Sequence, residues 1–465
     1  MGQRRHSMSV KGGAMNGKSL RTAVTLAATV SMAMPALVNA TDGYFSHGYG
    51  MKSKGRGGAS TAMTTDTFGG ANNPASMVWV GSRVDVGVDW FRPDREARRV
   101  GSTGGFGFVD GTASGNESQN FLIPEFGYNK LINPKLSLGV TAYGNGGMNT
   151  NYRSGQTDTG ACTVGVPSGV RSSNLLCGQG NLGVDLSQLI IAPTASFKVA
   201  ANHSIGISPL IAYQRFKAEG IQPFATISSA PGNLTNRGHD SAWGWGVRIG
   251  WLGKLSDAVS LGAAYSSKIS MGEFDKYRGL FAEQGGFDIP ENFNFGAAFK
   301  ATPALTIAAD YQRINYSKTK SVGNASTAPG CAPGFPAGPG VGAGCLGASS
   351  ASIGFGWSDV NVYKLGVEYA ANKQLMLRAG YNHSDNPVQP RDVTFNILAP
   401  GVVKKHVTLG FTYGLQGGSE ITMAYMHAFR NSVSGATNPV YFPVGGTDTV
   451  SMSQNSLGIA WGKNF

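Results

Sequence analysis

Charge is scarce in this chain. Of its 465 residues 14% are Asp, Glu, Lys or Arg, cysteine occurs four times, and mean hydropathy is near zero at -0.11. Each shortage excludes a class. A bundle of membrane helices needs repeated apolar runs of about twenty residues, and the one marked run is Thr22 to Val38. No cysteine pair has C-x-x-C spacing and no histidine lies beside one, so a zinc site is not expected. The other histidines are scattered without metal spacing. No basic run is interleaved with aromatic residues, which argues against nucleic acid as a partner. A propeller would repeat near every 40 residues, and no such period is present. What the chain does have is glycine, 68 residues of it, and a strict alternation of apolar and polar side chains.

The N-terminus reads as an export signal. Arg4, Arg5, Lys11, Lys18 and Arg21 precede the apolar run, which ends in the small-residue site Val38-Asn39-Ala40. Residues 1–40 are therefore expected to be a cleaved signal peptide with Thr41 as the mature start. Cleavage lowers the formal charge from +12 to +7. That excess suits anionic lipopolysaccharide at an outer-membrane surface. The P-loop pattern Gly12-x-x-x-x-Gly17-Lys18-Ser19 lies inside the signal, follows no strand, and is rejected. In the oxidising compartment beyond the inner membrane, the close cysteine pairs predict two loop disulfides, Cys162–Cys177 and Cys331–Cys345.

From residue 82 onward the period is two. Val84, Val86, Val88 and Trp90 share one parity; Asp85, Gly87 and Asp89 share the other. Trp243, Trp245, Val247, Ile249 and Trp251 repeat the pattern, as do Val407, Leu409, Phe411 and Tyr413. About fourteen such segments are expected, beginning near residues 83, 119, 135, 188, 203, 241, 258, 291, 303, 360, 373, 405, 419 and 455. Their connections alternate short turns, such as Ala201-Asn202-His203 and Ala371-Asn372-Lys373, with long loops. An all-β, antiparallel transmembrane barrel spanning 82–465 follows, because a closed sheet leaves no backbone polar group unpaired in lipid. Both termini would lie on the short-turn, periplasmic side.

Residues 41–81 do not alternate. Their bulk and position predict a plug, or hatch, inside the bore, which about fourteen strands leave wide enough to fill. The stretches Gly43-Tyr44-Phe45, Lys54-Gly55-Arg56-Gly57-Gly58-Ala59 and Asn73-Pro74-Ala75-Ser76 resemble the hatch of the FadL-type outer-membrane transporters, and the terminal Phe465 on an amphipathic strand is similar to their assembly signal. Ser46-His47-Gly48-Tyr49-Gly50 departs from the family's usual polar and acidic stretch. The resemblance implies passive uptake of long-chain fatty acids or, in toluene-type relatives, aromatic hydrocarbons. It also implies a lumenal pocket near the hatch N-terminus and a lateral exit at a kinked third strand. Gly144, Gly146 and Gly147 supply the candidate kink.

A fatty-acid carboxylate wants a lumenal cation. Parity turns Arg248, Lys364 and Arg378 inward, and the α-ammonium of Thr41 is a further candidate. Asp85, Asp89, Glu125, Asp310, Glu368 and Glu420 also face inward, so pairing among these charges to brace the hatch is the competing expectation. Asn73, Pro74 and Ala75 are expected to shape the hatch rather than touch ligand. His383-Ser384-Asp385 holds the residue types of a hydrolase triad, but neighbours on a strand point to opposite faces and cannot form a relay. No enzyme, cofactor or metal is expected, and the barrel should act as a monomer. A general diffusion porin is the rival function; it calls for an open bore with opposed charge ladders.

Overall fold

The computed structural model describes residues 42–102, 110–156, 174–327, 344–438 and 445–465. Fourteen antiparallel strands form the wall: β1 (Arg83–Val100), β2 (Phe121–Asn133), β3 (Leu136–Tyr152), β4 (Leu182–Lys198), β5 (His203–Glu219), β6 (Asp240–Lys254), β7 (Val259–Ser266), β8 (Asn292–Lys300), β9 (Leu305–Ile314), β10 (Val360–Ala370), β11 (Leu375–Ser384), β12 (Lys405–Gly414), β13 (Ser419–Ala436) and β14 (Thr447–Asn464). Each pairs with the next, and β14 pairs with β1 from Arg83↔Asn464 to Val100↔Thr447, which closes the cylinder. Two short segments, Gly111–Ser114 and Ser270–Met271, pair antiparallel with β1 and β6. Among the described residues no helix is long and apolar enough to cross a membrane.

Side-chain parity explains the two faces of the wall. Val86, Trp90, Ile205, Ile207, Trp243, Ile249, Leu409 and Trp461 point outward and are exposed, Trp245 at 77%. Arg248, Asp310, Lys364, Glu368 and Arg378 point inward and are buried. Aromatic rings collect toward both ends of the outward face: Tyr213 lies 5.0 Å from Trp243 near one rim, and Tyr128 lies 5.8 Å from Phe465 near the other. Interfacial rings of this kind position a barrel in the bilayer.

Several strands run longer than their apolar pattern. β4 starts at Leu182 rather than near 188, and β14 at Thr447 rather than near 455. The reason is physical: beyond the lipid band the outward face becomes polar, as at Arg92 and Arg98 of β1 or Ser432 and Ser434 of β13. Backbone pairing continues there while hydrophobic alternation stops. Cys177 and Cys345 are buried; their expected partners Cys162 and Cys331, the signal segment and Thr41 lie outside the described residues.

Candidate functional site

Residues 42–81 lie within the bore, held by inward side chains from around the wall. The Asn-Pro-Ala stretch is one anchor. Asn73 caps the short helix Pro74–Ser76 by accepting from the Ala75 amide at 3.1 Å, and Pro74 supplies the helical φ at its first position. The Asn73 amide also donates to the carbonyls of Thr61 at 2.8 Å and Trp251 at 2.9 Å. Ser196 and Ser204 donate to the Ala75 carbonyl at 3.0 and 2.7 Å. Three residues thereby tie the hatch to β4, β5 and β6. Trp79, further along, donates to Ser204 Oγ at 2.8 Å, and Lys198 and Lys254 each place their ammonium 4.0 Å from its ring.

Charge holds the opposite side. Glu368 Oε2 accepts from Arg56 Nη1 at 2.8 Å and Arg378 Nε at 2.6 Å, joining hatch, β10 and β11. Lys54 pairs with Asp89 at 2.6 Å, and Lys52 with Glu420 at 2.6 Å; Arg83 links Glu420 to Asp85. Asp310 Oδ2 accepts from the Ser60 and Thr61 amides and the Thr61 hydroxyl, each at 2.8 Å. Arg378 thus shares Glu368 with Arg56 of the hatch. Arg248 and Lys364 do something different. They line a common polar gap with Asp310, Gln312 and Asn72. Lys364 donates to Gln312 at 2.9 Å. Arg248, 3% exposed, has no ion pair, and its Nε has no hydrogen-bond partner, among the described residues.

The candidate glycines sit inside β3, not at the start of a loop. Asn145 is bulged out of register with β4, between the pairs Gly144↔Leu189 and Gly146↔Gln188. On the other edge, pairing with β2 ends at Phe126↔Ala142, although β3 continues to Tyr152. The wall is therefore parted above that pair. The hatch occupies part of the vacated edge: Ser46 N donates to Asn145 O and Gly147 N to Tyr44 O, both at 3.1 Å. A Cβ at position 146 would lie 1.6 Å from the Tyr44 carbonyl oxygen, so this approach requires glycine.

Above the bulge the hatch N-terminus enters a cluster of rings. Tyr44 lies 5.1 Å from Tyr316, 5.5 Å from Phe45, 5.8 Å from Trp357 and 6.2 Å from Phe287. Tyr316 Oη accepts from the Tyr44 amide at 3.1 Å and donates to the Asp42 carbonyl at 2.5 Å. Trp357 is fixed by its indole donating to Asn396 Oδ1 at 2.6 Å. Burial pushes the Asp42 carboxyl up to about 6, against the pull of Lys364 and the Asn382 amide. Burial, and then the stacked ring of His406 at 6.2 Å, keep the His47 imidazole well below its ordinary value and so neutral.

Comparison with known proteins decides the family. Residues 28–462 match the model of the outer membrane protein transport protein family (OMPP1/FadL/TodX). The chain belongs to the FadL/TodX family. No curated protein matches it in sequence. Its fold is similar to the Pseudomonas putida toluene transporter TodX (19% identity, 91% of this chain and 100% of that one, TM-score 0.63) and to a Pseudomonas aeruginosa FadL homologue (17%, 92% and 99%, 0.64). The Ralstonia pickettii toluene transporter TbuX is a further neighbour (17%, 90% and 99%, 0.60). It is thus an outer-membrane transport barrel of the FadL/TodX type and not an enzyme.

In this FadL/TodX barrel, parity was enough to find the inward cations but not to sort them. Arg248 and Lys364 come together; Arg378 belongs to a different constellation. The ring cluster was missed. Tyr44 and Phe45 stand in the hatch motif, but Phe287, Tyr316 and Trp357 come from long connections that carry no periodicity. Phe274, Tyr277, Phe281 and Phe287 crowd the connection between β7 and β8, but the one that supplies Tyr316 and Trp357 is no richer in aromatic residues than the chain as a whole and gave no signal.

Proposed function

We propose that this protein takes up long-chain fatty acids passively across the outer membrane. One observation supports that choice within the family: a buried arginine, Arg248, without a carboxylate partner, beside Lys364. A buried guanidinium without an anion is costly, and a carboxylate is the planar acceptor that fits it. The alkyl chain would extend past Tyr49 and Tyr143, whose rings are 4.7 Å apart, toward the bulge at Asn145. Leaving through the parted wall between β2 and β3 keeps apolar surface out of water, at about 25 cal/mol per Å². A diffusion porin needs an open bore, and residues 42–81 fill this one.

Labelled oleate uptake in cells lacking their own transporter tests this. Arg248→Gln should lower uptake about tenfold at limiting oleate, the worth of one charge-assisted contact, while toluene uptake is unchanged. Equal oleate uptake by variant and wild type would remove the fatty-acid assignment. The second substrate class, aromatic hydrocarbons, is favoured by the ring cluster around Tyr44; there Trp357→Ala should lower toluene uptake and spare oleate. Phe465 is exposed at 62% at the end of β14, which supports a role in recognition by the outer-membrane assembly machinery.

A further inference from the structure

Gln188 and Gln214 face each other across β4 and β5, inward and fully buried. Gln188 uses its carbonyl to accept from Asn145 Nδ2 at 2.9 Å. Its amide nitrogen has no partner, and neither polar atom of Gln214 has one, among the described residues. The Tyr44 hydroxyl lies against the Gln188 side chain, and the two engage each other only loosely. Both polar atoms of Gln214 are thus withdrawn from water and unmatched, and Gln188 Nε2 and Tyr44 Oη have only each other at the edge of the ring cluster. Buried amides and phenols are almost always satisfied, so an unmatched group of this size marks a place that something else completes.

The chemistry of that something is constrained. The three side chains present two amide donors, one carbonyl acceptor and one hydroxyl that serves as either. They carry no charge of their own. Asp288, the charged group that bears on the Tyr44 hydroxyl, is held by Lys268 at 2.6 Å. A carboxylate would therefore enter without a cation, and a bare hydrocarbon would leave the Gln214 amide unpaired. A neutral hydroxyl on a ring both donates and accepts, and its ring would add to the edge-to-face cluster of Tyr44, Phe287, Tyr316 and Trp357.

We propose that Gln188, Gln214 and Tyr44 form a recognition site for phenols: hydrophobic ring compounds carrying a neutral hydroxyl. The site goes beyond the fatty-acid assignment and uses none of its atoms. A site built to hydrogen-bond a hydroxyl rejects the analogue lacking it, because the analogue strands buried polar groups.

The test is calorimetric titration of the full barrel, in a detergent without rings, with p-cresol and toluene. Wild type should bind p-cresol about tenfold more tightly than toluene. In Gln188→Met/Gln214→Met, of similar volume but without amides, the two affinities should converge while oleate affinity is unchanged. Should that double variant lose the heat-modifiable mobility of a folded barrel, Tyr44→Phe keeps the ring and should still reduce the preference several-fold. Equal affinities in the wild type, a preference that survives both variants, or a cresol-soaked crystal with water alone on the amides would each overturn the site. Arg248→Gln separates the two assignments, since it should weaken oleate and leave p-cresol unaffected.

Discussion

The two ends of the hatch are held by different physics. From Lys52 to Trp79 the segment is fixed by ion pairs, by backbone hydrogen bonds to Asp310 and Asp85, and by the Asn73 anchor. From Asp42 to Tyr49 it rests on ring contacts, a few hydrogen bonds and a bulged strand, with Asp42 Oδ1, Tyr44 Oη and His47 Nε2 left unpartnered among the described residues. A buried ion pair is costly to break one side at a time. The burial that drives ring packing is non-directional, so rings can re-form contacts in other arrangements. The contrast predicts anchoring at one end and rearrangement at the other.

The largest expected effect breaks the anchored end. Glu368→Gln would leave Arg56 and Arg378 buried without their carboxylate, at a cost of about 3–5 kcal/mol. Trypsin should then cleave after Lys52, Lys54 or Arg56, all buried in the wild type, at a urea concentration where the wild-type hatch resists. Resistance equal to wild type would show that the ion pairs do not hold the hatch.

A smaller effect sharpens the loose end. Because the Asp42 carboxyl is raised to about 6 in place, the docked segment favours its protonated form. The contribution is fully present below about pH 4 and is lost as pH rises through about 6. Its size is at most about 3 kcal/mol. Hydrogen exchange at residues 44–47, corrected for intrinsic rates, should be slower at about pH 5 than at about pH 8. Asp42→Asn should remove that difference; a variant with the wild-type pH response would place its origin elsewhere.

The smallest change concerns Trp79. Replacing it with Leu removes two cation–π contacts and one hydrogen bond, together about 1–2 kcal/mol. Trypsin sensitivity should rise slightly, well short of the Glu368 variant. If the two variants were equally sensitive, the ranking of ionic over aromatic anchoring would be wrong.

The wall was legible because lipid on one side and hatch on the other impose a two-residue period, visible at Val84 to Trp90 and Trp243 to Trp251. The third-strand glycines were legible as a weak point, but not how far β3 continues beyond them. Partners of inward charges were not legible. Arg378 and Arg248 have the same parity, and what distinguishes them is which hatch residue lies opposite once the cylinder closes. Gln188 and Gln214 show the same limit: their inward direction follows from alternation, their lack of partners only from the packed lumen.

One consequence follows from the contact between the bulge and the leading residues. Tyr44 and Ser46 act as a borrowed neighbour for a strand that has lost its own. Stopper and staves are therefore mechanically one piece at Gly146. Withdrawing those few residues would also strip β3 of its stand-in partner at the seam where the wall is already parted, so on the proposed lateral route unplugging and release would share one trigger.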